Sequence, residues 1–279
     1  MAIFYNQATL IHNGQITNSN TTTADIQNAL AITKTAIIDE YSENGNLAYL
    51  VSITNNRLTP VTNATLTDDL GAYEYGAGTL TPLEYVADSL LYFVDGAPAV
   101  GAVAAVSGNV LEISGINIPA GSNAQLIYNV KTNEFAPLEI GSQITNTASL
   151  GELTASETVS VMEASQLTIT KCVNPDTVSA TGELTYTFII QNTGNAPAVA
   201  TDDVRIVDTF DPALTITEVL FNTDAWVENT NYTYNQATGE FATLDGQITV
   251  PAATFTRSAE TGAIIKTHGV SILTVRGTV

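Results

Sequence analysis

Lysine, aspartate and asparagine, three residue types with complementary chemistry, recur in this chain on segments that alternate between apolar and polar residues. Such alternation predicts β-strands, in which every second side chain points to the same face. Lys171 alternates with apolar residues at 167, 169 and 173, and Asp208 alternates with those at 204, 206 and 210. Strand parity therefore predicts that this lysine and this aspartate both point into an apolar core.

The first half of the chain repeats the arrangement with Lys34 and Asp68. Asn146 and Asn6 also lie on alternating segments, each within the pattern apolar-x-Asn-x-Ala-x-Leu. An isolated buried charge is unfavourable by several kcal/mol, so we expect these polar groups to meet one another in the core.

A buried amine beside a carboxyl group and a carboxamide can react. Apolar surroundings favour the neutral amine and the protonated acid, so the amine can attack the amide carbon while the acid moves protons and ammonia leaves. The product is an isopeptide bond. The alternative is an unreactive lysine–aspartate ion pair, with the asparagine capping a strand irregularity. The predicted sets are Lys34, Asn146 and the acid Asp68 within the chain, and Lys171, the acid Asp208 and Asn6 of a neighbouring molecule.

Two copies of one module account for most of the chain. Residues 31–36 align with 168–173, and residues 47–56 align with 184–193. Further along, 124–130 aligns with 270–276. A repeat of this length is a whole domain, and its short strands broken by Asn-Gly and Gly-Asn-Ala-Pro turns are typical of an antiparallel sandwich. An insertion in the first copy contains Pro82–Val86, which could open a short helix.

The second copy lacks the strand that closes the first. Residues 143–150 read QITNTASL, and residues 3–10 read IFYNQATL. We expect the N-terminal strand of one molecule to complete the second domain of the next, which gives a head-to-tail homopolymer. The expected parts are 1–27 for the donor strand and a linker, 28–163 for a complete sandwich, and 164–279 for a sandwich without its last strand. The residues expected to mediate polymerisation are Ile3, Phe4, Asn6, Ala8 and Leu10.

Two polar stretches, 11–29 and 151–166, are rich in Thr, Asn, Ser and Glu and are similar in length. We interpret them as linkers, the first across the boundary between subunits and the second within the chain.

Charge and composition exclude several classes of function. Eight Lys and Arg against 28 Asp and Glu give a net charge of −20, which repels nucleic acid and anionic lipid. No run approaches the ~18 apolar residues that span a bilayer, and the start does not read as a secretory signal. The one cysteine, Cys172, excludes an internal disulfide. No motif for a catalytic centre, cofactor or metal is present, so we expect a non-enzymatic protein without a cofactor.

Three segments of the second copy, LTITK at 167–171, NPDTV at 174–178 and NTGNAPA at 192–198, carry a family resemblance. They resemble the conserved repeat of bacterial surface proteins known as domain of unknown function eleven. The resemblance implies Ig-like sandwiches strung into extracellular surface proteins. Two-module chains of this size without a signal peptide resemble subunits of clostridial spore appendages, and Lys–Asn isopeptide bonds occur in similar Gram-positive fimbrial sandwiches.

The alternative function is that of a monomeric cell-surface adhesin or carbohydrate-binding module, whose N-terminal strand folds back onto its own second domain. Trp226, Tyr232 and Tyr234 would then be candidates for a sugar-binding platform, although packing in the core or against a subunit explains them equally. Cys172 has the opposite parity to Lys171, so we expect its thiol to point outward, either inert or in a disulfide between subunits.

Overall fold

The computed structural model describes residues 2–26 and 29–279, with side chains described at 5–23 and 29–279. The described residues form β-strands and one short 3₁₀ helix, Ala200–Asp202. The chain is therefore an all-β protein, which confirms the fold class expected from the alternating pattern. It divides into two compact units, 1–136 with 143–160 and 137–142 with 161–279. Among the described residues, no helix is long and apolar enough to cross a membrane.

The N-terminal residues of the first unit form a long antiparallel hairpin, here called the arm (residues 2–26). The strands pair around Asn13 and Gly14, both of which have a positive φ. Asn-Gly favours this tight hairpin turn because both residues tolerate the left-handed region. Every described side chain from 5 to 23 is exposed. The strands of the arm are β1 (Ala2–Asn6), β2 (Thr9–His12), β3 (Gln15–Asn18) and β4 (Thr22–Ile26).

The rest of the first unit is a sandwich of two antiparallel sheets. Its strands are β5 (Leu30–Ala36), β6 (Glu40–Tyr41), β7 (Asn46–Asn55), β8 (Val61–Asp68), β9 (Tyr73–Tyr75), β10 (Gly78–Leu80), β11 (Leu83–Tyr85), β12 (Leu91–Val94), β13 (Ala97–Pro98), β14 (Val103–Ser107), β15 (Val110–Ile118), β16 (Asn123–Thr132), β17 (Gln143–Leu150) and β18 (Leu153–Val161). One sheet has the order β13-β12-β16-β7-β5, and the other has the order β14-β15-β8-β17-β18-β6. Alternate residues of β7 and β16 point inward and are buried, as an amphipathic strand requires.

Three sequence expectations about this unit are wrong. Residues 83–85 form strand β11 against β16 rather than a helix. Most of the expected linker at 151–166 is strand β18, which pairs with β17 along its whole length. The expected linker at 11–29 likewise contains β3 and β4 of the arm. Polar composition was misleading here because an exposed strand of a hairpin carries the same Thr- and Ser-rich side chains as a loop.

The second unit repeats the first sheet but has a smaller second sheet. Its strands are β19 (Leu167–Asn174), β20 (Glu183–Asn192), β21 (Val207–Thr209), β22 (Thr215–Phe221), β23 (Asp224–Ala225), β24 (Tyr232–Asn235), β25 (Glu240–Thr243), β26 (Thr254–Arg257), β27 (Ile264–Thr267) and β28 (Gly269–Thr278). The order β19-β20-β28-β22-β23 matches β5-β7-β16-β12-β13, and β21-β25-β24 forms the other sheet. Aromatic residues fill much of the core between them, among them Phe188, Phe210 and Phe241.

The pairing corrects the sequence alignment of β16 with β28 by one residue. Tyr128 lies opposite Tyr49, and Val275 lies opposite Tyr186. Val275 therefore occupies the place of Tyr128, whereas the sequence alignment put Thr274 there. The outward face of β28 also carries apolar residues, which are partly exposed, so the alternation by itself fits either register.

The two units differ most at the strand that carries the aspartate. In the first unit β8 lies between β15 and β17. In the second unit β21 holds the matching place, and among the described strands it pairs with β25 alone. Strand β21 is therefore an open sheet edge.

Candidate functional site

Lys34 and Asp68 form an ion pair in the core of the first unit. Both side chains have a relative exposure of 0%, and Lys34 Nζ donates a hydrogen bond to Asp68 Oδ2. Nζ also lies 4.6 Å from the centre of the Tyr49 ring. Burial lowers the pKa of Lys34, and the attraction of Asp68 opposes that change. Loss of a proton from Lys34 is therefore easier than from an exposed lysine, which favours the nucleophilic form of the amine.

Two further donors hold the Asp68 carboxylate in place. Tyr128 on β16 donates its hydroxyl hydrogen to Oδ2, and the backbone N–H of Leu70 donates to Oδ1 at 3.0 Å. Burial, followed by the nearby charge of Asp68, raises the pKa of Tyr128. Tyr128 therefore remains a protonated donor at neutral pH. The carboxylate is fixed by groups from β5, β16 and the turn that follows β8.

Asn146 on β17 is fully buried, and neither atom of its carboxamide has a hydrogen-bond partner among the described residues. The Tyr49 hydroxyl is also buried, and no group in the described part of the chain pairs with it. The two groups are close enough that Asn146 opposes the rise that burial causes in the pKa of Tyr49. Buried polar atoms are nearly always hydrogen-bonded, so neighbouring unpaired atoms single out this part of the core.

Strand pairing brings Asn146 to the ion pair. Ala148, which follows Asn146 by two residues on β17, lies directly opposite Asp68. The Cα atoms of β5 and β17 also come within 8 Å of each other. Tyr49 connects the two groups, because its ring lies beside the Lys34 amine and its hydroxyl lies beside the Asn146 carboxamide. The structure thus gathers an amine, a carboxylate and a carboxamide in one dry region.

The second unit contains the same ion pair in a more open setting. Lys171 donates to Asp208 Oδ2, but the two side chains are 37% and 18% exposed. The Lys171 amine lies 4.7 Å from the centre of the Tyr186 ring, and the rings of Phe188 and Phe210 are also near. Tyr186 holds the place of Tyr49, whereas Val51 lies opposite Lys34 where Phe188 lies opposite Lys171.

An uncovered apolar face surrounds this second ion pair. Ile169 and Val173 flank Lys171 on the same side of β19, and both are exposed, Ile169 by 54%. Their counterparts on β5, Ile32 and Ala36, are half-buried. The face is open on the side where the first unit has β17.

The residues expected to mediate polymerisation lie on the arm. The side chains of Asn6, Ala8 and Leu10 are exposed, and those of Ile3 and Phe4 lie outside the described residues. The backbone carbonyl of Asn6 accepts a hydrogen bond from Thr22 across the hairpin at 3.3 Å. The structure therefore brings Lys34 to Asp68 and Lys171 to Asp208, and it leaves Asn6 exposed on its hairpin.

The site also contains two residues that were not among the sequence candidates, Tyr49 and Tyr128. Both face inward on strands that pair with each other, with ring centres 6.1 Å apart. A signal for the first was present, because Tyr49 aligns with Tyr186 in the repeat. The contact of Tyr128 with Asp68 depends on sheet pairing and left no signal in the sequence.

The remaining candidates have packing partners. Trp226 stacks on Phe221, and Tyr232 stacks on Phe241. Tyr234 donates to a backbone carbonyl. Cys172 is exposed on β19. Within the part of the chain that the structure describes, no group of three or more His, Cys, Asp or Glu could hold a metal ion.

No protein-family model matches the chain, and no curated protein matches it. Three solved structures illustrate what the chain is similar to, each at low identity. BcpA, the major pilin subunit of Bacillus cereus, is 11% identical with a TM-score of 0.36, covering 95% of this chain and 73% of that one. The RrgB pilus backbone of Streptococcus pneumoniae is 10% identical with a TM-score of 0.34, covering 86% and 92%. A C-terminal fragment of the major pilin GBS80 of Streptococcus agalactiae is 11% identical with a TM-score of 0.35, covering 87% and 91%. Likeness at this level does not constrain function.

Proposed function

We propose that this protein is the structural subunit of an extracellular fibre or of a spore- or cell-surface appendage, and that it polymerises head to tail. The observation that carries the proposal is the open edge of β21 in the second unit, together with a surplus hairpin in the arm. When the open edge of one copy pairs with the exposed hairpin of another, the unpaired backbone N–H and C=O groups of both gain hydrogen-bond partners.

The first unit supplies the template for this interaction. There, the hairpin of β17 and β18 lies beside β8 and covers the Lys34–Asp68 pair. The arm carries the same apolar-x-Asn-x-Ala-x-Leu pattern on β1 and β2 and is itself a hairpin with a two-residue turn. We infer that the arm of one subunit adds two strands, rather than one, to the second unit of the next.

The template also predicts the register. Ala148 lies opposite Asp68 in the first unit, so Ala8 of the incoming arm lies opposite Asp208. Asn6 then takes the place of Asn146, next to Lys171. The uncovered side chains of Ile169 and Val173 become buried, which supplies apolar area for the association.

The same placement extends the crosslinking chemistry to both units. In the first unit, Lys34 Nζ bonds to Asn146 Cγ within the chain, with Asp68 as the proton carrier. In the second, Lys171 bonds to Asn6 of the neighbouring subunit, with Asp208 as the carrier. Each bond replaces a carboxamide by a substituted amide and releases one ammonia. A fibre built in this way is covalently continuous.

Negative-stain microscopy of the purified full-length protein, compared with a variant that lacks residues 1–26, tests the proposal. We expect fibres from the full-length chain and none from the deletion variant. A sharper pair is Leu10→Asp, which places a charge on the face expected to be buried, against Thr9→Asp on the opposite face. Leu10→Asp should block assembly and Thr9→Asp should not. Full-length protein that remains monomeric would favour the adhesin alternative, and fibres from the deletion variant would exclude arm donation.

A further inference from the structure

The Tyr49 hydroxyl has no assigned role, although its surroundings are unusual. It is buried and unpaired, and it lies beside the equally unpaired Asn146 carboxamide. The face of the same ring lies 4.6 Å from the Lys34 amine. The ring therefore adjoins the amine that would attack, and its hydroxyl lies near the amide that would be attacked. The second unit keeps a tyrosine at this position, Tyr186, with its ring 4.7 Å from Lys171.

We propose that the Tyr49 hydroxyl donates a hydrogen bond to Asn146 Oδ1 and stabilises the negative charge that develops there when the Lys34 amine attacks. Tyr186 has the same role toward the carboxamide of Asn6 from a neighbouring subunit. The inference rests on the proposed crosslinking function and adds to it the group that activates the amide.

The chemical steps need such a group. Lys34 first passes a proton to Asp68, and the neutral Nζ then forms a bond to Asn146 Cγ. The carbonyl π electrons move onto Oδ1, which becomes an oxyanion. Asp68 carries a proton from the attacking nitrogen to Nδ2, the C–Nδ2 bond breaks, and ammonia leaves as the carbonyl re-forms. A carboxamide is a weak electrophile, so a donor aimed at Oδ1 lowers the barrier for the first addition.

Tyr49 suits this role better than Tyr128 does. The Tyr128 hydroxyl is already donated to Asp68, and its place in the second unit is taken by Val275. The hydroxyl present in both units is that of Tyr49 and Tyr186. Burial also raises the pKa of Tyr49, which keeps the donor protonated at neutral pH, and the dry surroundings strengthen its hydrogen bond to a developing charge.

The reaction between subunits gives a clean test with full-length chains. A Lys171→Ala chain can donate its arm but cannot accept a crosslink, and an Asn6→Ala chain can accept but cannot donate one. Mixed together, they give a single kind of covalent dimer, which survives boiling in detergent. The measurement is the first-order rate of dimer formation at saturating donor, with Tyr186→Phe introduced into the Asn6→Ala chain. Tyr234→Phe is the control, because that hydroxyl bonds to the Leu214 carbonyl instead.

We expect Tyr186→Phe to slow crosslinking about 10²- to 10³-fold, the usual effect of removing one oxyanion donor, and Tyr234→Phe to leave the rate unchanged. A rate at saturation separates this role from a docking role, which would change only the donor concentration needed. An unchanged rate with Tyr186→Phe would overturn the inference while leaving the crosslinking function intact.

The first unit provides a second measurement if Tyr186→Phe does not fold. Freshly purified Tyr49→Phe protein should contain a fraction that has not lost the roughly 17 Da of one ammonia, and this fraction should decrease over time. Complete reaction in Tyr49→Phe would contradict the inference. Full mass in the otherwise unaltered protein, with no covalent dimer, would instead refute the crosslinking function itself, and the inference with it.

Discussion

The two lysine–aspartate pairs of this chain have the same chemistry and differ in what covers them. In the first unit the pair is sealed beneath the hairpin of β17 and β18, and both side chains are fully shielded from solvent. In the second unit the matching strand β21 is an edge, and Lys171 is 37% exposed. The covering hairpin, rather than the pair itself, therefore distinguishes an enclosed, dry ion pair from one that is open to solvent.

The units also differ in how the aspartate is held. Asp68 accepts a hydrogen bond from Tyr128, whereas the residue at that position in the second unit, Val275, has no hydroxyl group. The closed site is therefore complete within one chain. Under the proposed function, the open site becomes complete only when another subunit supplies its arm.

Chemical labelling of lysine should show the largest contrast. In an Asn146→Ala chain that also lacks residues 1–26, neither lysine can be crosslinked. We expect an amine-reactive acetylating reagent to modify Lys171 and to leave Lys34 unmodified, as peptide mass mapping would show. In fibres of the full-length protein Lys171 should become protected as well. Equal labelling of Lys171 in monomers and fibres would contradict the proposal that the arm covers it.

Removal of each lysine should affect stability unequally. In the Asn146→Ala background, Lys34→Ala leaves Asp68 buried without its counter-charge and should destabilise the first unit by about 3–5 kcal/mol. In the monomer, Lys171→Ala should cost only about 0–1 kcal/mol, because that pair is partly exposed to water. Hydrogen exchange in the core strands of each unit measures both effects. A loss of similar size in the two units would show that shielding of the ion pair from solvent does not determine how much the lysine contributes to the unfolding free energy.

Loss of the Tyr128 hydroxyl should have a moderate effect. In the Asn146→Ala background, Tyr128→Phe removes one donor from a buried carboxylate, and hydrogen bonds to charged groups contribute about 1.5–3 kcal/mol. Tyr234→Phe is the matched control in the second unit, because its hydroxyl donates to the neutral Leu214 carbonyl, where we expect about 0.5–1.5 kcal/mol. Urea unfolding of each variant, followed by hydrogen exchange, gives the two values. A smaller loss for Tyr128→Phe than for Tyr234→Phe would count against a charged Asp68.

Alkaline pH should weaken the first unit by a smaller amount. Burial raises the pKa of Tyr49 and of Tyr128 above the ordinary 10.0, so the folded state keeps protons that the unfolded chain releases. The stabilisation that these two protonated hydroxyl groups provide is fully present below pH 10 and is lost progressively as the pH rises above that value. Lys34, whose pKa is lowered, has the opposite effect, and only about 0.4 kcal/mol of that effect remains above its ordinary value of 10.5.

Between pH 10.5 and 11, the two tyrosines together should remove up to about 1.4 kcal/mol from the unfolding free energy of the first unit. The Asn146→Ala chain is suitable for this measurement because no crosslink can form in its first unit. The double substitution Tyr49→Phe and Tyr128→Phe should abolish the dependence. A slope that persists in the double variant would assign the effect to other groups.

The fold class and the residues that carry the candidate chemistry could be predicted from the amino-acid sequence. Alternation is a local property, so the few residues on either side of Lys34, Asp68 and Asn146 in the sequence were enough to predict that these side chains point into the core. All three are buried in the structure. The repeated apolar-x-Asn-x-Ala-x-Leu pattern was equally local. Local pattern misled where both faces of a strand are apolar, as on β28, and where an exposed hairpin has the composition of a linker, as at β18.

The residues that surround those side chains could be identified only from the packing of the two sheets. Tyr128 reaches Asp68 across 60 residues of sequence, and Tyr49 lies beside Asn146 nearly a hundred residues away along the chain. These contacts follow from the order and register of strands in two facing sheets, which no short segment encodes. The exposure of Lys171 is set in the same way, because it depends on a strand that is present beside β8 and has no counterpart beside β21 among the described residues. Burial is a property of what packs against a residue, and in a β-sandwich those neighbours come from distant parts of the sequence.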